Sequence, residues 1–474
     1  MSRNSIDRRE ILAASTALGA ASLLPGRAFA QGAQPANALP ARGEFVIRGA
    51  HVLTMDTGLG DLPSGDVHVR NGAIVAVAAS VPAPGAEVID GRGMICMPGL
   101  IETHWHHWTN VCRPFVRNDD PKLGYFPVTA KYGPHFQPED SYRSAKLGLA
   151  EALSAGITTT HNWCHNTRSP AHADAEIRAM SDIGIRGRYA YGPTQGGPND
   201  QPMDLADLAR VKKSGLPSDG LISLGICSRN VGDDSNPTRG TVTVDMAKKE
   251  WGTARELGLP ITLHASGPQI TKLLDGAGLL GPDVQFVHPT GTSAEDRAIL
   301  SAKGVSYSMS PIGESRRPGN AGVIQLPEML ESKVKVSLSV DHVTTYNCDL
   351  FVGMRLLYSM NLNRLQGKVK IPTKRLVELA TIDGAHDLGI ADKVGSLAPG
   401  KRADLILIRT TDLNIGPIGD PYDAIVFLAQ PGNVDTVVVD GRILRRKNQF
   451  TMLDQAKVTQ EAAATIAALR ARAG

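Results

Sequence analysis

The sequence predicts an α/β protein: a (β/α)8 TIM barrel with a small β-sandwich domain formed from both chain flanks. Three observations carry this. Short β-like runs separated by helix-like stretches recur from about Pro98 to Ile390, the pattern of a buried parallel sheet with helical crossovers. Four of these runs end in a residue of a metal-ligand type. Shorter strands broken by Gly, Pro and Asp turns lie on either side of that region.

Taken in order, residues 1–30 are set apart from the fold. Asp7-Arg8-Arg9-Glu10-Ile11-Leu12 is a twin-arginine pattern, with Asp7 where Ser or Thr is usual. An apolar stretch from Ile11 to Leu24 follows, then the A-x-A cleavage motif Ala28-Phe29-Ala30. That stretch is Ala-rich and short for a membrane span of about 20 residues. The expectation is a signal peptide cleaved after Ala30 and a periplasmic or secreted product, with no stable membrane insertion afterwards. An Ala/Pro/Gly linker occupies 31–42, and 43–97 form the first part of the sandwich, with strands such as Phe45-Val46-Ile47-Arg48 and Ala73-Ile74-Val75-Ala76-Val77. The barrel is expected over 98–390. Its sandwich partner spans 391–450, where Ala403-Asp404-Leu405-Ile406-Leu407-Ile408 and Val434-Asp435-Thr436-Val437-Val438-Val439 read as strands. Residues 451–474 are Ala-rich with periodic apolar positions and read as a C-terminal helix.

Composition fits this plan. A chain of 474 residues can hold a barrel and a smaller domain, and 42% hydrophobic with 20% charged residues is ordinary for a globular protein. The formal charge is +3; four arginines and two acidic residues fall within 1–30, so the rest carries 46 basic and 45 acidic side chains. Near-neutrality gives no electrostatic basis for binding nucleic acid or acidic membranes. The five cysteines are widely spaced, form no C-x-x-C, and are expected as buried thiols. Cys164 stands between His161 and His165.

The segment Pro98-Gly99-Leu100-Ile101-Glu102-Thr103-His104-Trp105-His106 carries the chemistry. Alternation along a strand points His104 and His106 the same way, so that they can share one metal ion. His264 ends Leu259-Pro260-Ile261-Thr262-Leu263, His288 ends Val284-Gln285-Phe286-Val287, and Asp341 ends Val334-Lys335-Val336-Ser337-Leu338-Ser339-Val340. All strand C-termini of a barrel meet on one face, so residues more than two hundred positions apart converge there.

With Gly156-Ile157-Thr158-Thr159-Thr160 and the tail Val394-Gly395-Ser396-Leu397-Ala398-Pro399-Gly400-Lys401-Arg402-Ala403-Asp404-Leu405, these segments resemble the amidohydrolase superfamily. Within it, the chain looks most like the branch of triazine hydrolases and cytosine and S-adenosylhomocysteine deaminases. The resemblance runs from about Gly43 to Phe450. It implies one divalent metal held by His104, His106, His264 and Asp341, with zinc the default and iron, cobalt or manganese also compatible. It also implies that His288 orients or deprotonates the metal-bound water and that Asp341 exchanges its proton. Binuclear relatives place a carboxylated lysine at the end of strand four, and Leu221-Ile222-Ser223-Leu224-Gly225-Ile226-Cys227-Ser228-Arg229 contains none.

One departure bears on the reaction. The deaminases place a glutamate three residues after the third histidine, where this chain has Gly267. Loss of a general acid costs roughly 10²–10⁴-fold. The expectation is therefore hydrolysis of an amide, carbamate, thiocarbamate or lactam-like C–N bond. The alternative is an aminohydrolase or dehalogenase acting on an N-heterocycle, with His107, His161, His165 or His342 supplying the proton. A non-catalytic binding protein on the same scaffold is the remote alternative, and the complete ligand set argues against it. Aromatics crowd the loops after the first strands, so a small apolar or ring-bearing substrate is expected. Candidate contacts are Trp105, His107, Trp108, His161, Trp163, His165, Ser266 and His342. Arg316 and Arg317, after the seventh strand, are placed either to receive a carboxylate or simply to be solvated. Relatives commonly form homo-oligomers.

Replacing both Arg8→Lys and Arg9→Lys is expected to retain unprocessed chain in the cytoplasm. Cell fractionation and N-terminal sequencing check this; unchanged export would remove the twin-arginine assignment.

Overall fold

The computed structural model describes residues 39–474 apart from 118, 233–240, 266–268, 289, 318–321 and 369. The expected signal peptide and most of the linker lie outside the described residues. The chain opens with β1 (Glu44–Val52), β2 (Leu62–Arg70) and β3 (Ala73–Ala78), paired antiparallel in that order. Next, β4 (Glu87–Asp90) and β5 (Met94–Pro98) lie parallel to β1.

The barrel begins two residues later. Its strands are β6 (Leu100–Trp105), β7 (Ile157–Cys164), β8 (Arg186–Tyr191), β9 (Ile222–Ser228), β12 (Ile261–His264), β13 (Val284–Val287), β14 (Ser306–Met309) and β15 (Lys335–Leu338). Between β9 and β12, the two-residue strands β10 (Asn230–Val231) and β11 (Thr241–Val242) pair with each other. The eight barrel strands are parallel and follow in sequence order from β6 to β15. An isolated bridge between Trp105 and Asp341 then joins the last to the first.

After the barrel come β16 (Leu405–Arg409), β17 (Val434–Val439), β18 (Arg442–Arg446) and β19 (Gln449–Phe450). β16 pairs antiparallel with β5, from Leu405 opposite Pro98 to Arg409 opposite Met94. Both flanks thereby join in one nine-stranded sheet. Alternation along these strands serves two cores. Leu405, Leu407 and Val438 pack with Phe45, Ile47 and Val67, whereas Ile406, Ile408, Val437 and Val439 pack into the barrel's outer core.

Three helices matter for the site: α1 (Tyr125–Tyr132), α2 (Pro138–Ser154) and α3 (Pro170–Ile183). Pro138 opens α2, where the Gln137 and Asp140 side chains cap it reciprocally. α3 stops at Gly184, whose φ of 71° suits a residue without Cβ. The C-terminal helix Gln455–Ala473 buries Val458, Ala462, Thr465 and Leu469. It is tied to α2 by ion pairs of Lys146 with Glu461 and of Arg472 with Asp140. All five cysteines are buried free thiols, as expected from sequence.

A buried charge cluster joins the barrel to the flanking sheet. Arg186, at the start of β8, donates from Nε to Asp404 at 2.6 Å and from Nη2 to Asp404 and Asp440 at 3.1 and 3.4 Å. Arg42 and Arg402 also pair with Asp440. Burial disfavours the Arg186 charge, but the two carboxylates more than offset this and raise its pKa. Arg186→Ala leaves the buried Asp404 carboxylate without its arginine partner, a change that typically costs about 3–5 kcal/mol. A lower midpoint in urea unfolding, with the metal site intact, is expected; a midpoint unchanged from the native chain would show that the cluster contributes no net stability.

Candidate metal centre

The site is built where the barrel closes. Glu102 of β6 pairs with Thr160 of β7 and Trp105 with Asn162, so three steps on β6 match two on β7. This is a bulge, and it changes the simple alternation read from sequence. Thr103 faces the barrel interior, where its hydroxyl meets Ser308 and Ser337 at 2.8 Å each. His104 follows it inward. Trp105 and His107 face the helices instead, stacked on each other with centroids 4.2 Å apart. His107 bonds Thr160 at 2.9 Å and lies against Gly148 of α2.

The bulge leaves backbone N–H groups out of the regular ladder, and the buried Glu102 carboxylate collects them. It accepts from the N–H groups of His104, His161 and Val340, and from the Thr160 hydroxyl at 2.7 Å. Burial pushes its pKa up to about 7 against these hydrogen bonds. On the other side of the seam, Asp341 N–H donates to His104 O and His106 N–H donates to Asp341 O, both at 2.7 Å. Asp341 is thereby held in place by the strand that carries the first two histidines.

The ligand-type atoms of His104, His106, His264 and Asp341 lie within 4.8 Å of one another. Asp341 Oδ1 is 3.5 Å from both His104 Nε2 and His106 Nε2. Donors roughly 2.0–2.2 Å from one tetrahedral ion stand at about this separation. Among the described residues, both ring nitrogens of His104 are buried without a hydrogen-bond partner, a state costly for a polar group unless something else binds there. The His106 Nδ1 lies 3.2 Å from the Trp163 carbonyl, which fixes the tautomer that turns Nε2 toward Asp341. Burial holds His104 down to about 4 and His106 and His264 well below the usual imidazole value. These are neutral imidazoles, the form that binds a metal. The donor set fits a divalent cation.

His288 differs from the other three. Burial works against its charged form, yet Asp341 and Glu314 together raise its pKa. Its Nδ1 is 2.8 Å from Glu314 Oε1, and its Nε2 is 3.6 Å from Asp341 Oδ2 and otherwise unpartnered among the described residues. Glu314, in the helical turn Pro311–Glu314, is fully buried. For Asp341, burial alone would raise the pKa; His288, His342 and the His104 ring beside it hold it well below the carboxylate range.

The other sequence-predicted positions divide. Trp163 packs against the rings of His104, His106 and His264 at 4.8, 5.1 and 4.1 Å and forms a wall of the centre. His165 lies 4.3 Å from the His106 ring. The ring of His342 stacks on Tyr125 of α1 at 4.6 Å. His161 is buried inside the barrel, with Nδ1 3.0 Å from the Thr103 carbonyl. Trp105 and His107, expected as substrate contacts, are placed behind the strand by the bulge; they support it and do not line the site. Trp108, likewise expected there, is buried with Phe115, Phe136 and Leu469 under the C-terminal helix. Ser266 and Gly267 lie outside the described residues. Glu102, Glu314 and Tyr346 were not singled out by the sequence, and Tyr125 only as one of the aromatics in the loops after the first strands. Glu102 sat in the histidine motif itself, but its partners come from β6, β7 and the segment after β15, and Glu314 meets His288 across 26 residues with no periodic spacing.

A closed parallel barrel with three histidines and one aspartate at its strand ends defines a metal-binding hydrolase site. The amidohydrolase family profile matches residues 95–444, and the chain belongs to that family. It is a hydrolase of carbon–nitrogen bonds other than peptide bonds. It is 27% identical over 439 residues to a 5'-deoxyadenosine deaminase of Methanosarcina mazei, covering 88% of this chain and 96% of that one. It is also 27% identical over 387 residues to a 5-methylthioadenosine/S-adenosylhomocysteine deaminase of Acetivibrio thermocellus, covering 78% and 86%. In structure it resembles a zinc-bound adenosine deaminase of Xanthomonas campestris, with a TM-score of 0.79, 20% identity and coverage of 91% and 100%. A zinc complex of atrazine chlorohydrolase from Arthrobacter aurescens gives a TM-score of 0.76, 21% identity and coverage of 89% and 100%. These solved structures show a shared fold.

Elemental analysis of protein refolded with excess zinc is expected to give about one ion per chain. His264→Ala is expected to lower occupancy sharply while retaining the barrel's circular dichroism. Two ions per chain would overturn the single-metal assignment.

Proposed function

We propose that the protein is a mononuclear, zinc-dependent aminohydrolase that removes an amino group from a nitrogen heterocycle in the periplasm or outside the cell. The carrying observation is the buried Glu314–His288–Asp341 chain. It answers the absence of an acid at position 267, because it places a proton-holding imidazole beside the ligand carboxylate. The deaminase relatives, aligned over most of both chains, support the same choice. The twin-arginine and A-x-A patterns support export.

When bound by His104, His106, His264 and Asp341, a zinc ion supplies an acidified water and polarises the carbon under attack. The chain's own residues do the rest. Asp341 turns Oδ1 toward the histidine ligands and leaves Oδ2 facing His288. That oxygen accepts the water proton. His288 Nε2, 3.6 Å from it, is placed to pass a proton to the departing nitrogen, while Glu314 at Nδ1 orients the imidazole. Trp163 and Tyr125 flank the centre, with their rings 5.1 and 6.2 Å from that of His106.

The second reading is hydrolysis of an amide, carbamate, thiocarbamate or lactam. Gly267 favours it, since a carbonyl needs less protonation than an aromatic ring. Ammonia release from aminated purines, pyrimidines and triazines, run beside cyclic and linear amides, separates the two. Turnover confined to the amides would sink the heterocycle reading. Glu314→Gln is expected to lower kcat about 10–100-fold with zinc content unchanged; full activity in that variant would remove Glu314 from the proton path.

A further inference from the structure

We propose that the substrate of this site carries a carboxylate, and that Arg316 receives it at the barrel mouth, across the ring of Tyr346 from Asp341. The inference rests on the aminohydrolase reading for what happens at the metal, and adds what holds the other end of the substrate.

A line of rings leads from the centre to the surface. Tyr125 lies 6.2 Å from His106 and stacks on His342 at 4.6 Å. His342 lies 4.9 Å from Tyr346. The Tyr346 hydroxyl donates to Val340 O at 3.1 Å. A Cβ on Gly313 would be 2.8 Å from that hydroxyl and 3.2 Å from Asp341 Oδ2, so the inner end of Tyr346 borders the ligand carboxylate. At the outer end of this wall the guanidinium of Arg316 sits 6.0 Å from the Tyr346 ring centroid. A flat heterocycle lying against the wall presents one edge to Asp341 and its opposite substituent to Arg316.

Arg316 is held in place but not neutralised. Its Nη1 donates to Thr345 Oγ1 at 2.7 Å, and no carboxylate among the described residues pairs with it. Three arginines of the strand-end loops are paired with carboxylates: Arg113 with Glu151, Arg117 with Asp119, and Arg229 with Glu250. A guanidinium has five donors in a planar fork that matches a carboxylate. Thr345 and the Tyr346 face use part of it and fix its direction, which lowers the ordering cost of binding. The exposed side of the fork is left for a ligand. A dissolved surface arginine would need neither the hydroxyl nor the ring.

The test compares zinc-loaded native protein with Arg316→Gln and Arg316→Lys on matched pairs of aminated heterocycles that differ only by a ring carboxylate. The carboxylated member is expected to show a kcat/KM about tenfold higher in the native protein. Arg316→Gln should abolish that preference through KM and leave the uncharged member unchanged; Arg316→Lys should keep part of it. An undiminished preference in Arg316→Gln, or none in the native protein, overturns the proposal while the reaction reading stands. If no heterocycle is turned over, the reaction reading fails by itself. Calorimetric binding of pyridine-3-carboxylate and pyridine-3-carboxamide to the same proteins then decides about Arg316. Selective weakening of the carboxylate by about tenfold in Arg316→Gln supports the site, and equal affinity in both proteins refutes it. Any contact of the carboxylate with zinc is common to both.

Discussion

The site depends on the seam that closes the barrel. Eight parallel strands would leave an open sheet if the last did not reach the first, and here a backbone bridge between Trp105 and Asp341 joins them. Its two hydrogen bonds involve the backbones of His104, His106 and Asp341. The residues that close the fold are therefore the residues whose side chains face the metal position. A change that loosens the seam moves a histidine pair and a carboxylate relative to each other, and a metal spanning them in turn ties the seam. Folding and metal binding act on the same few bonds.

The bulge at Thr103 and His104, in the pairing of β6 with β7, makes the strand that forms this seam irregular, and Glu102 makes the irregularity tolerable. Orphaned buried N–H groups are costly, and one carboxylate serves three of them from β6, β7 and the segment after β15. An apolar residue at 102 would leave these donors unpaired behind the ligands. This explains a charged residue in the middle of an otherwise apolar run.

Much of this was legible in the sequence because it depends on local order. The strand-end positions of His104, His106, His264, His288 and Asp341 follow from runs of four to seven residues, and the barrel brings strand ends together whatever fills the loops. The five buried thiols followed from composition. What escaped depends on a one-residue slip or on tertiary meeting. Strict alternation implies nothing about Trp105 beyond its opposition to the histidines, and its aromatic character suggested substrate when it in fact supports the strand. Glu314 carries no signal, since its value lies only in the 2.8 Å to His288. Tyr125 looked like one more loop aromatic until α1 laid it over His342.

The backbone shows how the last two groups are aimed. His288 and Asp341 both have positive φ, 57° and 70°. Left-handed conformations are uncommon for residues with a Cβ, although His and Asp tolerate them better than most. Each carries a cost of order 1–3 kcal/mol. At both positions the strand has just ended, and continued extended backbone would send the side chains onto alternating faces. The left-handed step turns each chain inward, so that His288 Nε2 and Asp341 Oδ2 come to 3.6 Å from strands that are not neighbours. The strain is sustained by what surrounds it: Asp341 by the seam, and His288 by Glu314 and by its N–H to Ser308 O at 3.2 Å. Two costly backbone turns that converge on one proton-sharing pair are hard to explain by packing alone, because apolar residues would fill the same space without them. The fold spends stability here to fix where a proton sits.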